Sequence, residues 1–203
     1  MSYALYAEWF HDLGSDNTLL ESALGFAKQA VALAEHDSDC HDALGWIYLH
    51  LKSFDLATQC KLRALELNPG NPEQHVFLAV LHTYLGNVAE ATTLNERARE
   101  LDPYYEPSWY WQMRGVTYFV GGQYDDAVKA LSRSMTMPIW VRAYLAACEA
   151  LLGRIECARR WVESIMRERP DFSSSALVAK EPYRRQGDID RLRQAMLAAG
   201  LPD

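Results

Sequence analysis

The chain is short of positive charge. Lys and Arg total 20 against 27 Asp and Glu over 203 residues, a formal net charge of −7. No broad basic surface exists to neutralise phosphates or hold an anionic bilayer, which argues against nucleic acid as a primary partner. Long apolar runs are missing too: no stretch approaches eighteen residues, so no membrane insertion is expected. The first eight residues, Met1 to Glu8, lack both a basic region and an apolar core of the kind a secretory signal needs. Cysteine is scarce. Cys40, Cys60, Cys148 and Cys157 include no Cys-x-x-Cys pair, and they read as reduced, buried thiols rather than a disulfide or zinc framework, a pattern that favours the cytoplasm. Gly121-Gly122 is no phosphate loop, because no Gly-x-x-x-x-Gly-Lys-Ser/Thr surrounds it. What the chain does not lack is apolar substance. With 49% hydrophobic residues, 11 Tyr and 6 Trp, it is too rich for disorder and long enough for one domain or one array of repeats.

Self-comparison at an offset of 34 residues gives a gap-free match. Leu44-Gly45-Trp46-Ile47-Tyr48 lies over Leu78-Ala79-Val80-Leu81-His82, and Arg63 to Pro69 over Arg97 to Pro103. A third copy follows after two extra loop residues, Glu106 and Pro107, and a fourth is shortened at its start around Met137-Pro138. Each copy carries apolar positions at helical spacing, a turn residue midway and a second helical stretch, closed by Pro at Pro69, Pro103 and Pro170. Two antiparallel helices per copy follow. Ala57, Ala91, Ala127 and Ala158 fall where the second helix crosses close to the first, so small size is the requirement there. Gly86, Gly122 and Gly153 fall where a left-handed cap ends the first helix; Lys52 holds that place in the first clear copy, at a cost of about 1 kcal/mol if its backbone is left-handed.

These units resemble the tetratricopeptide repeat, with Leu44, Gly45 and Tyr48 and then Trp111, Gly115 and Tyr118 keeping the first-helix pattern, and His41 and His75 replacing its usual Trp. The resemblance implies an all-α, right-handed superhelical solenoid. On this reading residues 1–203 form a single repeat domain and one cooperative unit. It has a degenerate opening unit at 4–37, repeats at 38–71, 72–107, 108–138 and 139–172, and closing helices over 173–203. Trp109-Tyr110-Trp111 with Gly115, Tyr118 and Tyr124, then Arg169-Pro170-Asp171-Phe172-Ser173 and Glu181-Pro182-Tyr183, look like the C-terminal repeat region of bacterial class III adenylate/guanylate cyclases and of some winged-helix transcriptional regulators. There the repeats follow an effector domain. Here neither a cyclase core nor a basic recognition helix precedes Tyr3, so the chain reads as an excised piece of a longer protein or as a free-standing relative. Membrane cyclases of that kind leave the periplasm open as a location.

Catalysis or metal binding needs a nucleophile beside a base, paired carboxylates in a cleft, or ligands at workable spacing. His36-Asp37-Ser38-Asp39-Cys40-His41-Asp42 is dense in possible ligands for Zn²⁺, but every repeat needs a turn and a cap at this place. The segment therefore reads as that turn, with Asp37, Ser38 or Asp39 capping the next helix and His41 pointing into the core. Cys148 and Cys157 lie on the two helices of one repeat and read as core residues. Arg154, Arg159, Arg160, Arg167 and Arg169 read as a solvated helix face. No catalytic residue, metal or cofactor is expected.

The informative positions are those on the inner face, lined by the first helix of each repeat. By register these are Trp46 and His50, then Phe77, Val80 and Tyr84, then Trp109, Gln112, Met113 and Val116, with Asp42, Leu49, Thr83 and Val120 alongside. Some solenoids of the resembling family clamp acidic peptides with Lys and Asn in these columns. Asp42, Val76 and Gln112 stand there instead, which disfavours that activity. An aromatic and aliphatic groove suits a peptide or amphipathic helix, so the expected function is a non-catalytic protein-interaction scaffold or regulatory module. Two alternatives remain open: these residues pack against the chain's own helices, or the module acts by self-association as a homodimer within a larger signalling protein. Tyr104 and Tyr105 form a second candidate contact in a loop.

Overall fold

The structure, a computed structural model, describes residues 1–11 and 17–203. The described residues form α-helices and no strand. Their helices divide between two compact units, residues 1–105 and 106–203.

In the first unit the helices are α1 (Ser2–His11), α2 (Thr18–Leu33), α3 (Ser38–His50), α4 (Phe54–Leu67), α5 (Pro72–Leu85) and α6 (Val88–Leu101). They pack as three hairpins, α1 with α2, α3 with α4 and α5 with α6, and each hairpin leans on the next through α2 with α3 and α4 with α5. The first helices also touch in order, α1 with α3 and α3 with α5, and so make one continuous inner layer. Ala23, Ala57, Ala64, Ala91 and Ala98 are fully buried at the hairpin crossings, as close axial approach demands.

Local chemistry places the ends. Asp37 caps α3, its carboxylate accepting from the Asp39 amide at 2.8 Å and the Cys40 amide at 3.4 Å. Asn71 does the same for α5 at the Glu73 amide, with Pro72 as the first helical residue. Between the helices of each of these two hairpins the chain makes a left-handed turn. Lys52, at φ 56°, occupies the position that Gly86 fills at φ 80°. The amides of Ser53 and Asn87 then reach back to the carbonyls of Tyr48 and His82 at 2.9 and 2.8 Å. The strained lysine expected from the sequence is therefore present.

The second unit holds α7 (Ser108–Val120), α8 (Tyr124–Ser132), α9 (Ile139–Leu151), α10 (Ile155–Glu168), α11 (Ser174–Lys180) and α12 (Gln186–Ala199). Here α7 pairs with α8 and α9 with α10, while α12 packs against α9. A hydroxyl pair buried between Tyr144 and Tyr183, 2.8 Å apart, ties α9 to the loop before α12. The N-terminal caps of α7 and α9 are Pro107 and Pro138, in extended backbone. Helix α8 has nine residues where α4, α6 and α10 each have fourteen. The chain leaves the helix at Ser132, and the Gln112 amide donates to Ser134 Oγ at 2.9 Å and to Thr136 O at 3.2 Å, holding the departing segment against α7.

Candidate functional site

The inner layer of the first unit is built around a buried charge pair. Lys61 enters from α4, its stem passing under Gly45 of α3, where an added Cβ would stand 3.2 Å from Lys61 Cγ and 3.3 Å from the Ala57 carbonyl oxygen. A Cβ at position 45 would crowd the lysine stem by a few tenths of an ångström. The Lys61 ammonium forms an ion pair with Asp42 of α3, and each side chain is 1% exposed. Above the ammonium lie two rings on successive inner helices, Phe77 of α5 at 4.7 Å and Trp46 of α3 at 5.2 Å. The Tyr3 hydroxyl, from α1, donates to the second Asp42 oxygen at 2.9 Å. Burial dominates the electrostatics: it pushes the Asp42 carboxyl up and the Lys61 ammonium down, and each partner opposes the shift of the other. Burial beside Asp42 also raises the Tyr3 phenol.

The candidate groove residues divide by exposure. In the first unit Trp46 and Phe77 are half-buried, whereas His50, Val80 and Tyr84 are buried. His50 sits in the seam between α1 and α3, with Tyr6, Trp46 and Trp9 ring centroids at 4.8, 5.3 and 5.6 Å, and the Tyr6 hydroxyl lies 3.1 Å from its Nε2. In the second unit Trp109 and Met113 are half-buried, while Gln112 and Val116 are buried. Trp140 joins Trp109 as a half-buried tryptophan at the start of an inner helix. Sequence reasoning passed over Lys61 and Tyr3. The one signal for Lys61 is its column, where the third repeat has the apolar Leu131 beneath Gly115.

The His36–Asp42 cluster is taken apart by the fold. His36 is exposed and pairs with Glu35 at 3.4 Å, Asp37 caps α3, and Asp42 turns inward to Lys61. Among the described residues no group of three or more His, Cys, Asp or Glu side chains is placed to hold a metal. His41 does not point into the core as its register suggested. Its Nε2 lies 2.8 Å from the Glu35 carbonyl, which can only accept, so that nitrogen donates. His75 repeats the contact 34 residues on, at 2.9 Å from the Pro69 carbonyl. Both histidines fasten a turn.

The four cysteines are free, but only Cys148 is buried, its thiol pushed up to about 12 by burial and then Glu149; the other three are half-buried, contrary to the expectation of buried thiols throughout. Three arginines of the run meet carboxylates. Arg154 meets Asp125 at 2.5 Å, Arg159 meets Glu156 at 3.1 Å and Arg169 meets Asp171 at 3.5 Å. Tyr104 is fully out in solvent and Tyr105 half-buried, its carbonyl accepting from Arg99 at 3.0 Å. No helix among the described residues is long and apolar enough to cross a membrane.

No protein-family model matches the chain, and no curated protein matches it in sequence. Solved structures do match in fold. TTC0263, a thermophilic TPR protein of Thermus thermophilus, superposes with a TM-score of 0.67 at 17% identity, over 97% of this chain and 95% of that one. The Cut9-Hcn1 hetero-tetramer of the APC/C gives a TM-score of 0.67 at 14% identity, over 89% of this chain and 37% of that one. YrrB, described as a TPR protein with an unusual peptide-binding site, gives 0.54 at 15% identity, over 85% and 90%. The chain therefore has the all-α tetratricopeptide-type repeat fold. The narrower likeness to cyclase and regulator repeats rests on the sequence motifs alone.

Proposed function

We propose that the chain is a non-catalytic interaction scaffold that docks a peptide or helical segment of another protein against its inner layers. The observation that carries this reading is the pair Trp46 and Phe77. They lie on adjacent inner helices, keep part of their surface open, and are braced from below by a lysine that is itself fixed by Asp42. Large aromatic side chains held in place before a partner arrives supply contact area with little further loss of freedom. Trp109 and Met113 offer a comparable surface in the second unit. The fold likeness to a TPR protein described by its peptide-binding site supports the same reading. On the motif resemblance, the scaffold would serve as a regulatory module for an attached output domain.

The test is a pull-down with wild type beside Trp46→Ala/Phe77→Ala. Tyr84 is unsuited to it, because at 4% exposure its removal would cost fold rather than surface. A partner retained by wild type and lost from a variant of unchanged helical signal supports docking at the inner face; equal retention by both refutes it. Self-association, the alternative use of the module, predicts a light-scattering mass that is a multiple of 23.1 kDa and falls on dilution.

A further inference from the structure

We propose that the inner face of the second unit is a helix-binding seat which the chain closes with its own α12, and that an amphipathic helix of a partner protein docks there when the segment 174–203 swings off in one piece. This rests on the scaffold reading and names what the second unit binds. Nine consecutive residues of α9, Val141 to Glu149, are buried, and at about 3.6 residues per turn they present every side of the helix. Helices α7, α8 and α10 meet α9 on some of those sides, and α12 packs along it about as extensively as α10 does. Ala143 and Ala147 hold in α9 the inner-face columns that Gln112 and Val116 hold in α7, and both are fully buried. Small side chains there admit a close helix. Arg191 of α12 donates at 3.0 Å to the carbonyl of Val120, another inner-face position, at the end of α7. Helix α12 thus lies across the inner layer, while Trp109 and Met113 at the start of α7 stay half-open.

Helix α12 has the form of a groove ligand. Its buried residues Asp188, Leu192, Ala195 and Met196 follow the i, i+4, i+7, i+8 spacing of a single stripe, and Asp190, Gln194 and Ala198 on its back face solvent. The segment that carries it is tied to itself. Helix α11 packs on α12, the Ser174 amide donates to the Pro202 carbonyl at 2.9 Å, and Asp203 accepts from Ser175 Oγ at 2.5 Å and from the Arg193 guanidinium. These ties let α11, α12 and the tail leave the seat without separating from one another. The seat also holds α12 at a cost. Asp188 is 3% exposed; one of its carboxylate oxygens accepts from Arg191 at 2.7 Å, the other is buried without a donor, and Arg185 at the N-cap adds no side-chain cap bond. Water satisfies that oxygen once α12 is released, which narrows the gap between the seated and open states.

Hydrogen exchange on the full chain reads the release without any ligand. Amides within α11 and α12 should exchange together, about 100-fold or more faster than those of α9 and α10. The docking probe is a capped, fluorescein-labelled peptide with the sequence of residues 184–203, followed by polarisation. Arg191→Ala in the full chain removes the bond to Val120 and leaves Asp188 buried without its cation, so this variant should bind the peptide about tenfold or more tightly than wild type, whose seat is filled. Met196→Ala, which loosens the apolar stripe without touching a charge, should act in the same direction. The same peptide carrying Leu192→Ser/Met196→Ser should bind neither variant. Exchange of α12 in step with α9 in the wild type, or no saturable binding of the peptide to either loosened variant, overturns the proposal. The scaffold reading survives that result if Trp46→Ala/Phe77→Ala still releases a partner in the pull-down; it falls separately if that variant releases nothing.

Discussion

Replacing Lys61 by methionine keeps most of the side-chain volume and removes the charge that faces Asp42. In the wild type both members of the pair are 1% exposed, so the carboxylate left behind has neither water nor a cation, only the Tyr3 hydroxyl. Removing one partner of such a buried pair costs about 3–5 kcal/mol, to be measured as the loss of unfolding free energy in urea at pH 7. The deficit should depend on pH. Asp42 has its folded-state carboxyl raised above the ordinary 3.8, chiefly by burial, and without Lys61 the largest opposing influence is gone. A group whose folded pKa is raised contributes stability below its unfolded pKa and loses it as pH climbs through the folded value. The Lys61→Met deficit should therefore be largest at neutral pH and shrink on acidification towards pH 4, as Asp42 takes up a proton in the folded state before it does so in the unfolded one. Adding Asp42→Leu should recover most of the loss at pH 7 and abolish the pH dependence. A deficit below about 1 kcal/mol at pH 7, or one that is flat between pH 7 and 4, would refute the placement of Lys61 and Asp42 as a buried pair.

Lys52→Gly should stabilise the chain by about 1 kcal/mol, because Lys52 holds a φ of 56° where the equivalent turn has Gly86; calorimetric melting checks the sign. Gly115→Ala should destabilise by about 1–3 kcal/mol despite its better helix propensity, since the new Cβ would meet Leu131 Cγ at 2.5 Å inside a fully buried contact; the urea midpoint reads the loss. Asp37→Ala should cost about 1 kcal/mol through loss of the α3 cap, read as a lower urea midpoint.

The hairpin architecture was legible because its constraints are local and repeat. Ala57, Ala91, Ala127 and Ala158 are all fully buried at crossings, and the left-handed turn at Lys52 follows from its alignment with Gly86. The site was legible only in part. Trp46, Phe77, Trp109 and Met113 keep open surface, but register alone cannot say which inner positions a neighbouring helix will cover, and α1 closes over His50 through Tyr6 and Trp9. Lys61 escaped notice because its burial depends on Asp42, 19 residues away on another helix, a pairing that a helical period does not reveal. The inward reading of His41 failed for a similar reason: its partner is a backbone carbonyl in the preceding turn, a group with no sequence signature. Gln112 looked like a groove residue but serves the shortened α8, whose early end no helix-stopping residue marks before Pro138.

Site-specific photo-crosslinking distinguishes the two layers most directly. A photoreactive residue is placed at position 77 on the inner layer and, in a separate protein, at position 62 on α4, where Leu62 is 45% exposed. The account predicts a crosslink to one protein partner from position 77, competed by unlabelled wild type, and none to that partner from position 62. Capture of the same partner from position 62 alone, or crosslinks from position 77 only within the chain itself, would contradict it.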